Sequence, residues 1–89
     1  MDIVKSASAG TMESSDVYVE IEPGCDGVQV ELESVVKLQF GDSIRSAVRD
    51  VLEQEGVKNA GIRIIDRGAL ECVIRARVEA AVLRGKGEV

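Results

Sequence analysis

The sequence predicts a single small α+β domain in which two helices cover one face of a three-stranded sheet. Its 89 residues are enough for one hydrophobic core and too few for two. Apolar and polar residues alternate in two early stretches, whereas two later stretches carry apolar residues at helical spacing. Neither the strands nor the helices can bury an apolar face alone, so we expect them to pack together in the order β-β-α-β-α.

The N-terminal part, residues 1–16, shows neither the alternation of a strand nor the apolar spacing of a helix. It consists largely of small and polar residues, which are typical of mobile termini. We therefore predict a flexible lead-in over residues 1–16, followed by a folded domain over residues 17–89.

Two strands with a turn between them are predicted next. In each strand one face is apolar and the other is polar or acidic. The apolar positions are Val17, Val19 and Ile21 in the first strand and Val28, Val30 and Leu32 in the second. The segment Pro23-Gly24-Cys25-Asp26-Gly27 between them is rich in turn-forming residues. The pattern predicts a β-hairpin with one apolar and one acidic face.

Two helices and one further strand are predicted in the second half of the chain. Asp42 is the candidate N-cap of the first helix, and Gly56 is the candidate for its C-terminal end. A short third strand over residues 62–65 ends at the turn Asp66-Arg67-Gly68, and the second helix covers residues 69–83. The apolar stripes consist of Ile44, Ala47, Val48, Val51 and Leu52 in the first helix and of Leu70, Val73, Ile74, Val78 and Ala81 in the second.

The composition excludes several classes of function. The chain has no His, which removes imidazole catalysis and His-containing metal sites, and Cys25 and Cys72 lack metal-ligand spacing. A net charge of −5, with one Tyr, one Phe and no Trp, argues against nucleic-acid binding. No apolar run is long enough to span a membrane or to form a signal peptide. We therefore expect a cytoplasmic protein that binds neither nucleic acid nor membrane.

The lead-in ends in Gly-Thr-Met-Glu-Ser-Ser-Asp, residues 10–16, which places the hydroxyl of Ser14 on an exposed segment that another protein could reach. By composition alone this segment is simply a polar terminus. Two later blocks are also distinctive. They are Gln-Phe-Gly-Asp at residues 39–42, and Asp-Arg-Gly-Ala-Leu-Glu-Cys at residues 66–72, which is followed by Ile-Arg-Ala-Arg. Together the blocks resemble the citrate lyase acyl carrier proteins, in register from about Gly10 to Ala81.

The resemblance implies a carrier function centred on Ser14. The serine at this position of the family motif holds 2'-(5''-phosphoribosyl)-3'-dephospho-CoA through a phosphodiester, and the terminal thiol of this coenzyme-A-like arm carries acetyl and then citryl groups. Ser15 stands where family members often have Gly. The implied partners are the transferase (alpha) and lyase (beta) subunits of citrate lyase, the prosthetic-group transferase and the acetate:carrier ligase. The chain itself would be a non-catalytic carrier, without a metal site, in the cleavage of citrate to acetate and oxaloacetate.

Several alternatives compete with this interpretation. Asp42-Ser43-Ile44 is similar to the Asp-Ser-Leu of ordinary acyl carrier proteins, where phosphopantetheine is attached at a helix start and meets unpaired N–H groups. Ordinary carriers are helical bundles, however, which the predicted hairpin argues against. The carrier subunit of malonate decarboxylase uses the same arm with other partners. A protein interaction module could use the acidic hairpin without any covalent group, and an independent small enzyme is disfavoured by the absence of His.

Arg77 is unusual for its position on the second predicted helix. At 100° per residue it lies roughly 20° from Leu70, within the apolar stripe. An unpaired buried guanidinium would be very costly, so we expect Arg77 to meet a carboxylate or backbone carbonyl groups. The alternative is a contact with a partner subunit or with the phosphates of the arm.

Overall fold

The computed structural model of the protein describes residues 2–35 and 37–87. They form four strands and two helices: β1 (Ala7–Gly10), β2 (Val17–Pro23), β3 (Val28–Ser34), α1 (Lys37–Gln54), β4 (Ala60–Asp66) and α2 (Glu71–Gly85). The predicted α+β class is confirmed, with one strand more than expected. Within the described ranges, no helix is long and apolar enough to cross a membrane.

The four strands form one mixed sheet in the order β1-β2-β4-β3. Strand β2 pairs antiparallel with both β1 and β4, while β3 and β4 run parallel and are connected through α1. Helix α2 packs on β1 and β2, helix α1 packs on β3, and the two helices contact each other. The core lies between the helices and the sheet, and its most completely buried apolar side chains are Val17, Val19, Ile21, Val48, Leu52, Ile64, Val78 and Val82.

Strands β2 and β3 do not form the predicted hairpin, because β4 lies between them. Adjacent β2 and β3 would bring their two rows of glutamates side by side, and like charges on neighbouring strands destabilise a sheet. In the observed register Arg63 of β4 is the cross-strand neighbour of Glu20 on one side and of Glu31 on the other. The turn-rich segment instead passes the start of β4, where the N–H of Ala60 donates to the carbonyl oxygen of Gly27 at 3.1 Å. An acidic hairpin is therefore not available as an interaction module.

Part of the predicted lead-in lies inside the folded domain. Residues Ala7–Gly10 pair with β2 as the edge strand of the sheet, and the side chains of Ile3 and Ala9 are buried in the core. The sequence of β1, Ala-Ser-Ala-Gly, is short and built of small residues, so its alternation is too weak to be recognised. The flexibility predicted for residues 1–16 remains a prediction for the loop formed by residues 11–16.

The helix boundaries also differ from the prediction. Helix α1 begins at Lys37, so Asp42 lies inside the helix and is not its N-cap. The preceding Gly41 is buried within the helix, where a glycine is tolerated at a modest cost. Gly56 follows the end of α1 in the left-handed conformation, as predicted for a C-terminal glycine. Helix α2 begins and ends two residues later than expected.

Candidate functional site: the loop that carries Ser14

Ser14 lies in a six-residue loop, Thr11–Asp16, that connects β1 to β2. Its side chain is exposed, and among the described residues neither its main chain nor its hydroxyl makes a hydrogen bond. The hydroxyl is thus open to approach by another protein. The neighbouring Ser15 is also exposed, but its backbone has a φ of +65°, in the left-handed region that favours glycine.

Asp16 holds the loop closed at its base. Its Oδ2 atom accepts a hydrogen bond from the hydroxyl of Thr11 at 2.7 Å, and its Oδ1 atom accepts one from the N–H of Val17 at 2.7 Å. The guanidinium of Arg77 adds two bonds, Nη2 to Oδ2 at 3.0 Å and Nε to Oδ1 at 3.3 Å. We call the set Thr11, Asp16 and Arg77 the clasp, because it joins the first and last residues of the loop to helix α2.

The clasp lowers the pKa of Asp16 to about 2 from an ordinary value of 3.8. The largest cause is the hydrogen bond from the Thr11 hydroxyl, followed by those from the Val17 amide and from the Arg77 guanidinium. All three favour the ionised carboxylate, and partial desolvation opposes them only weakly. The carboxylate of the folded protein therefore stays ionised at an acidic pH at which an ordinary aspartate is largely protonated.

Backbone hydrogen bonds fix the C-terminal half of the loop to the end of β4. The N–H of Ser15 donates to the carbonyl oxygen of Arg67 at 2.9 Å. The N–H of Arg67 in turn donates to the carbonyl oxygen of Asp16 at 2.9 Å. This pair of bonds continues the β2–β4 ladder beyond the ends of the strands. The turn that follows Arg67 is also fixed, because the carboxylate of Asp66 accepts hydrogen bonds from the N–H groups of Gly68 and Ala69.

Gly10 allows the chain to enter the loop. Its φ is +89°, and a Cβ atom at this position would lie 1.9 Å from the carbonyl oxygen of Val17. No side chain fits there without displacing the first residue of β2. Sequence patterns point to Ser14 but not to Gly10, Thr11 or Asp16 as its supports. All three residues belong to the same motif as Ser14, but their supporting role can be predicted only once β1 is recognised. The pairing of β1 with β2 is what brings residues 11 and 16 together.

Arg77 meets a carboxylate, as predicted from its position on α2. The expected burial is wrong, because the side chain is 40% exposed and reaches Asp16 at the edge of the domain. Exposure is possible because α2 packs over β1 and β2 near the loop, where a long side chain can leave the core and reach a surface carboxylate.

Ser43, the competing attachment site, is exposed on the second turn of α1 and not at its start. The unpaired N–H groups of α1 belong to its first turn, which begins at Lys37. A phosphate on Ser43 would therefore lack the helix N-terminus that the alternative required.

The three sequence blocks that carry the resemblance meet at one end of the molecule. Strands β1, β3 and β4 end there and β2 begins there. We call this the Ser14 end, which comprises the loop 11–16, the residue after β3, the first turn of α1 and the β4–α2 connection at residues 67–70. Residues far apart in the chain thus lie at the same end of the sheet as this loop.

Comparison with known proteins identifies relatives that match nearly the whole chain. A curated protein of Escherichia fergusonii named citrate lyase acyl carrier protein is 57% identical over 86 residues, which cover 94% of this chain and 88% of that protein. This chain belongs to the citrate lyase acyl carrier protein family. A Klebsiella pneumoniae protein of the same name is 54% identical over 85 residues, with the same coverage of both chains.

Two further comparisons connect the family to malonate decarboxylase. Residues 4–85 match the family model described as malonate decarboxylase delta subunit (MdcD). A chain in the crystal structure of a Pseudomonas malonate decarboxylase hetero-tetramer in complex with malonate has a TM-score of 0.75 and 24% identity, covering 86% of this chain and 79% of that chain. That identity supports a shared fold alone.

Membership of the family defines the general role of the chain. Its relatives are acyl carrier proteins, which are carrier subunits and not enzymes. Members of this family carry a prosthetic group. The chain is therefore a non-catalytic acyl carrier protein.

Proposed function

We propose that the chain is the acyl carrier subunit of citrate lyase and that Ser14 is the attachment site of its prosthetic group. The observation that supports this most directly is the exposed, unbonded hydroxyl of Ser14 on a loop whose two ends are held by the clasp. Such a hydroxyl can be reached by a modifying enzyme, while the fixed ends of the loop keep it at a defined place on the carrier.

The residues of the loop fit attachment through a phosphodiester. In the attachment step, Ser14 Oγ forms a bond to a phosphorus atom of a coenzyme-A-like donor, and the bond from that phosphorus to the leaving group of the donor breaks. The hydroxyl proton passes to a base. Among the described residues no side chain is hydrogen bonded to Ser14, and the chain has no His. We therefore expect the prosthetic-group transferase to supply the base.

The proposed group is 2'-(5''-phosphoribosyl)-3'-dephospho-CoA, which supplies a terminal thiol that holds acyl groups as thioesters. Ser14 tethers this group to a small folded domain, so each transfer between active sites becomes effectively intramolecular. The active sites would belong to the transferase and lyase subunits of citrate lyase, with an acetate:carrier ligase loading the carrier. We place the complex in the cytoplasm.

A second candidate is the carrier subunit of malonate decarboxylase, which is favoured by the family description and by the shared fold. The two candidates share the attachment chemistry and differ in their partners. Mixing the modified chain with citrate lyase subunits or with malonate decarboxylase subunits separates them. Recovery of citrate cleavage only with the former supports citrate lyase, and recovery of malonate decarboxylation only with the latter supports the alternative.

The attachment site is tested by co-expression of the chain with the prosthetic-group transferase. We expect intact-mass analysis to find one added coenzyme-like group, and peptide fragmentation to locate it on Ser14. Ser14→Ala should abolish the added mass. Ser15→Ala and Ser43→Ala are matched controls, because both remove an exposed hydroxyl and should leave the modification unchanged. Label on Ser43 or Ser15 would overturn the assignment of Ser14.

A further inference from the structure

The large apolar side chains that remain exposed are not spread evenly over the surface. Five such side chains occur in the described residues, each 50–71% exposed: Val4, Met12, Val35, Phe40 and Leu70. All but Val4 belong to the Ser14 end. We call Met12, Val35, Phe40 and Leu70 the apolar rim.

The topology places the four rim residues at the end of the sheet that carries the loop. Met12 lies in the loop itself, two residues before Ser14, and Val35 follows the last residue of β3. Phe40 is in the first turn of α1, and Leu70 immediately precedes α2. The four residues thus come from four different segments that converge on the same end of the sheet.

Val4 lies at the opposite end of the molecule. Its N–H donates to the carbonyl oxygen of Gly85, at the C-terminal end of α2, at 2.9 Å. Since α2 starts at the Ser14 end, Val4 is separated from the rim by the length of this helix. It is therefore a matched control for the effect of an exposed apolar side chain as such.

A concentration of exposed apolar side chains at one end of a small domain indicates an interaction surface. At the same end, in the β4–α2 connection, the side chain of Arg67 is exposed and has no hydrogen bond or ion pair among the described residues. Its backbone, in contrast, is fixed to Ser15 and Asp16. Among the residues whose side chains are described, the Ser14 end thus combines apolar side chains with the unpaired guanidinium of Arg67, whose backbone is bonded to the loop.

We propose that the apolar rim is the surface on which the prosthetic-group transferase docks to this carrier. The inference rests on the proposed function of Ser14. An enzyme that forms a bond at Ser14 Oγ must cover the end of the molecule on which this residue lies, and the rim residues belong to that end. The expected partner surface is an apolar patch with a carboxylate that faces Arg67. The phosphate-rich arm itself is a poorer occupant for four apolar side chains.

The test measures how fast the transferase modifies the full-length chain as a function of carrier concentration. Phe40→Ser and Leu70→Ser should each raise the KM for the carrier about tenfold, with kcat changed less than about twofold, because they weaken docking and leave the reacting hydroxyl in place. Val4→Ser should leave both constants unchanged. All three positions are exposed, and a serine before α2 can cap the helix, so thermal melts should show folded variants.

The outcomes separate this inference from the proposed function. A KM for Phe40→Ser and Leu70→Ser equal to that of Val4→Ser, with Ser14 still labelled, would overturn the docking surface and leave the carrier function intact. Loss of self-association in the rim variants, without a change in KM, would assign the rim to a second copy of the chain and also overturn it. Absence of any label on the unaltered chain would overturn both proposals.

Discussion

At the scale of single residues, the acceptor capacity of Asp16 decides the shape of the Ser14 loop. Each carboxylate oxygen of Asp16 accepts one bond from the loop or from β2 and one from Arg77. A neutral amide could not accept all four, because one of its two heavy atoms is a donor. Position 15 beside it has a left-handed backbone conformation that favours glycine, and the N–H of Ser15 is held there by its bond to the carbonyl oxygen of Arg67.

Gly10 is a position at which the addition of a single methyl group should be strongly destabilising. Gly10→Ala must adopt an unfavourable left-handed conformation, which costs about 1–3 kcal/mol, and must also move the Val17 carbonyl that its Cβ would meet at 1.9 Å. We expect chemical denaturation to show a loss of stability beyond the conformational cost alone, with slower modification of Ser14 because the loop is displaced.

Gly27→Ala is the matched control for this substitution. Gly27 has a φ of +86°, close to that of Gly10, but a Cβ atom there would meet nothing within 4 Å. It should therefore show the conformational cost without the clash, at the end of the molecule far from Ser14. Equal losses of stability for the two variants would contradict the role assigned to the close approach of Gly10 to β2.

At the scale of elements, the sequence was sufficient to predict three of the four strands and both helices, but neither the edge strand β1 nor the pairing of the strands. Alternation identified β2 and β3, and the helical stripes identified α1 and α2. The order of the strands depends on contacts between residues distant in the chain, such as Arg63 with both Glu20 and Glu31. Five turn-forming residues between β2 and β3 indicate a change of direction but cannot tell a hairpin from a connection that passes a third strand.

The loop that carries Ser14 should be mobile only at its tip. Thr11 and Asp16 are joined to each other, whereas Met12 and Ser14 make no hydrogen bonds among the described residues. Between them Glu13 makes only two long bonds inside the loop, from its N–H to the Thr11 hydroxyl at 3.3 Å and from the N–H of Asp16 to its carbonyl oxygen at 3.2 Å. We expect heteronuclear relaxation of the unmodified protein to give reduced order parameters at residues 12–14 and rigid values over β1 and at Asp16. Val17–Pro23, in the middle of the sheet, serves as the internal reference for rigidity.

Two outcomes would contradict this view of the loop. Rigid order parameters across residues 12–14 would mean that the attachment residue does not move freely on the carrier. Reduced values over Ala7–Gly10 would mean that β1 is not stably paired and that the whole N-terminal segment behaves as the flexible lead-in that the sequence pattern predicts.

At the scale of the whole molecule, one end of the sheet presents the proposed attachment site, and the other end holds the start of the chain against the rest of the fold. The Ser14 end carries the loop, the rim and the clasp. At the other end the Asp2 carboxylate accepts the N–H groups of Lys58 and Asn59 at 2.7 and 3.1 Å, which ties the start of the chain to the connection before β4. The core joins the ends, so the loop can be exposed for reaction while its supports are fixed by the rest of the fold.

Both ends depend on an ionised aspartate, and this makes the stability of the domain sensitive to acid. The pKa of Asp16 lies at about 2, and that of Asp2 is lowered chiefly by the Lys58 amide, then by the side chain and amide of Asn59. Between the folded pKa values and the ordinary value of 3.8, the unfolded chain binds more protons than the folded one. Stability should therefore be constant above about pH 5 and fall as the pH drops through this window.

The acid dependence can be assigned with three Asp→Asn variants, each followed by urea unfolding between pH 2 and pH 7. Asp16→Asn and Asp2→Asn should each be less stable than the parent at neutral pH, and the difference should shrink towards pH 2, where the parent also loses the charge. Asp26→Asn is the matched control, because Asp26 is exposed and its carboxylate has no hydrogen bond or ion pair among the described residues. Its curve should follow that of the parent. If the Asp16→Asn curve ran parallel to the parent from neutral to acid pH, its carboxylate would not be the charged centre of the clasp, and the loop would depend on its backbone bonds to Arg67 alone.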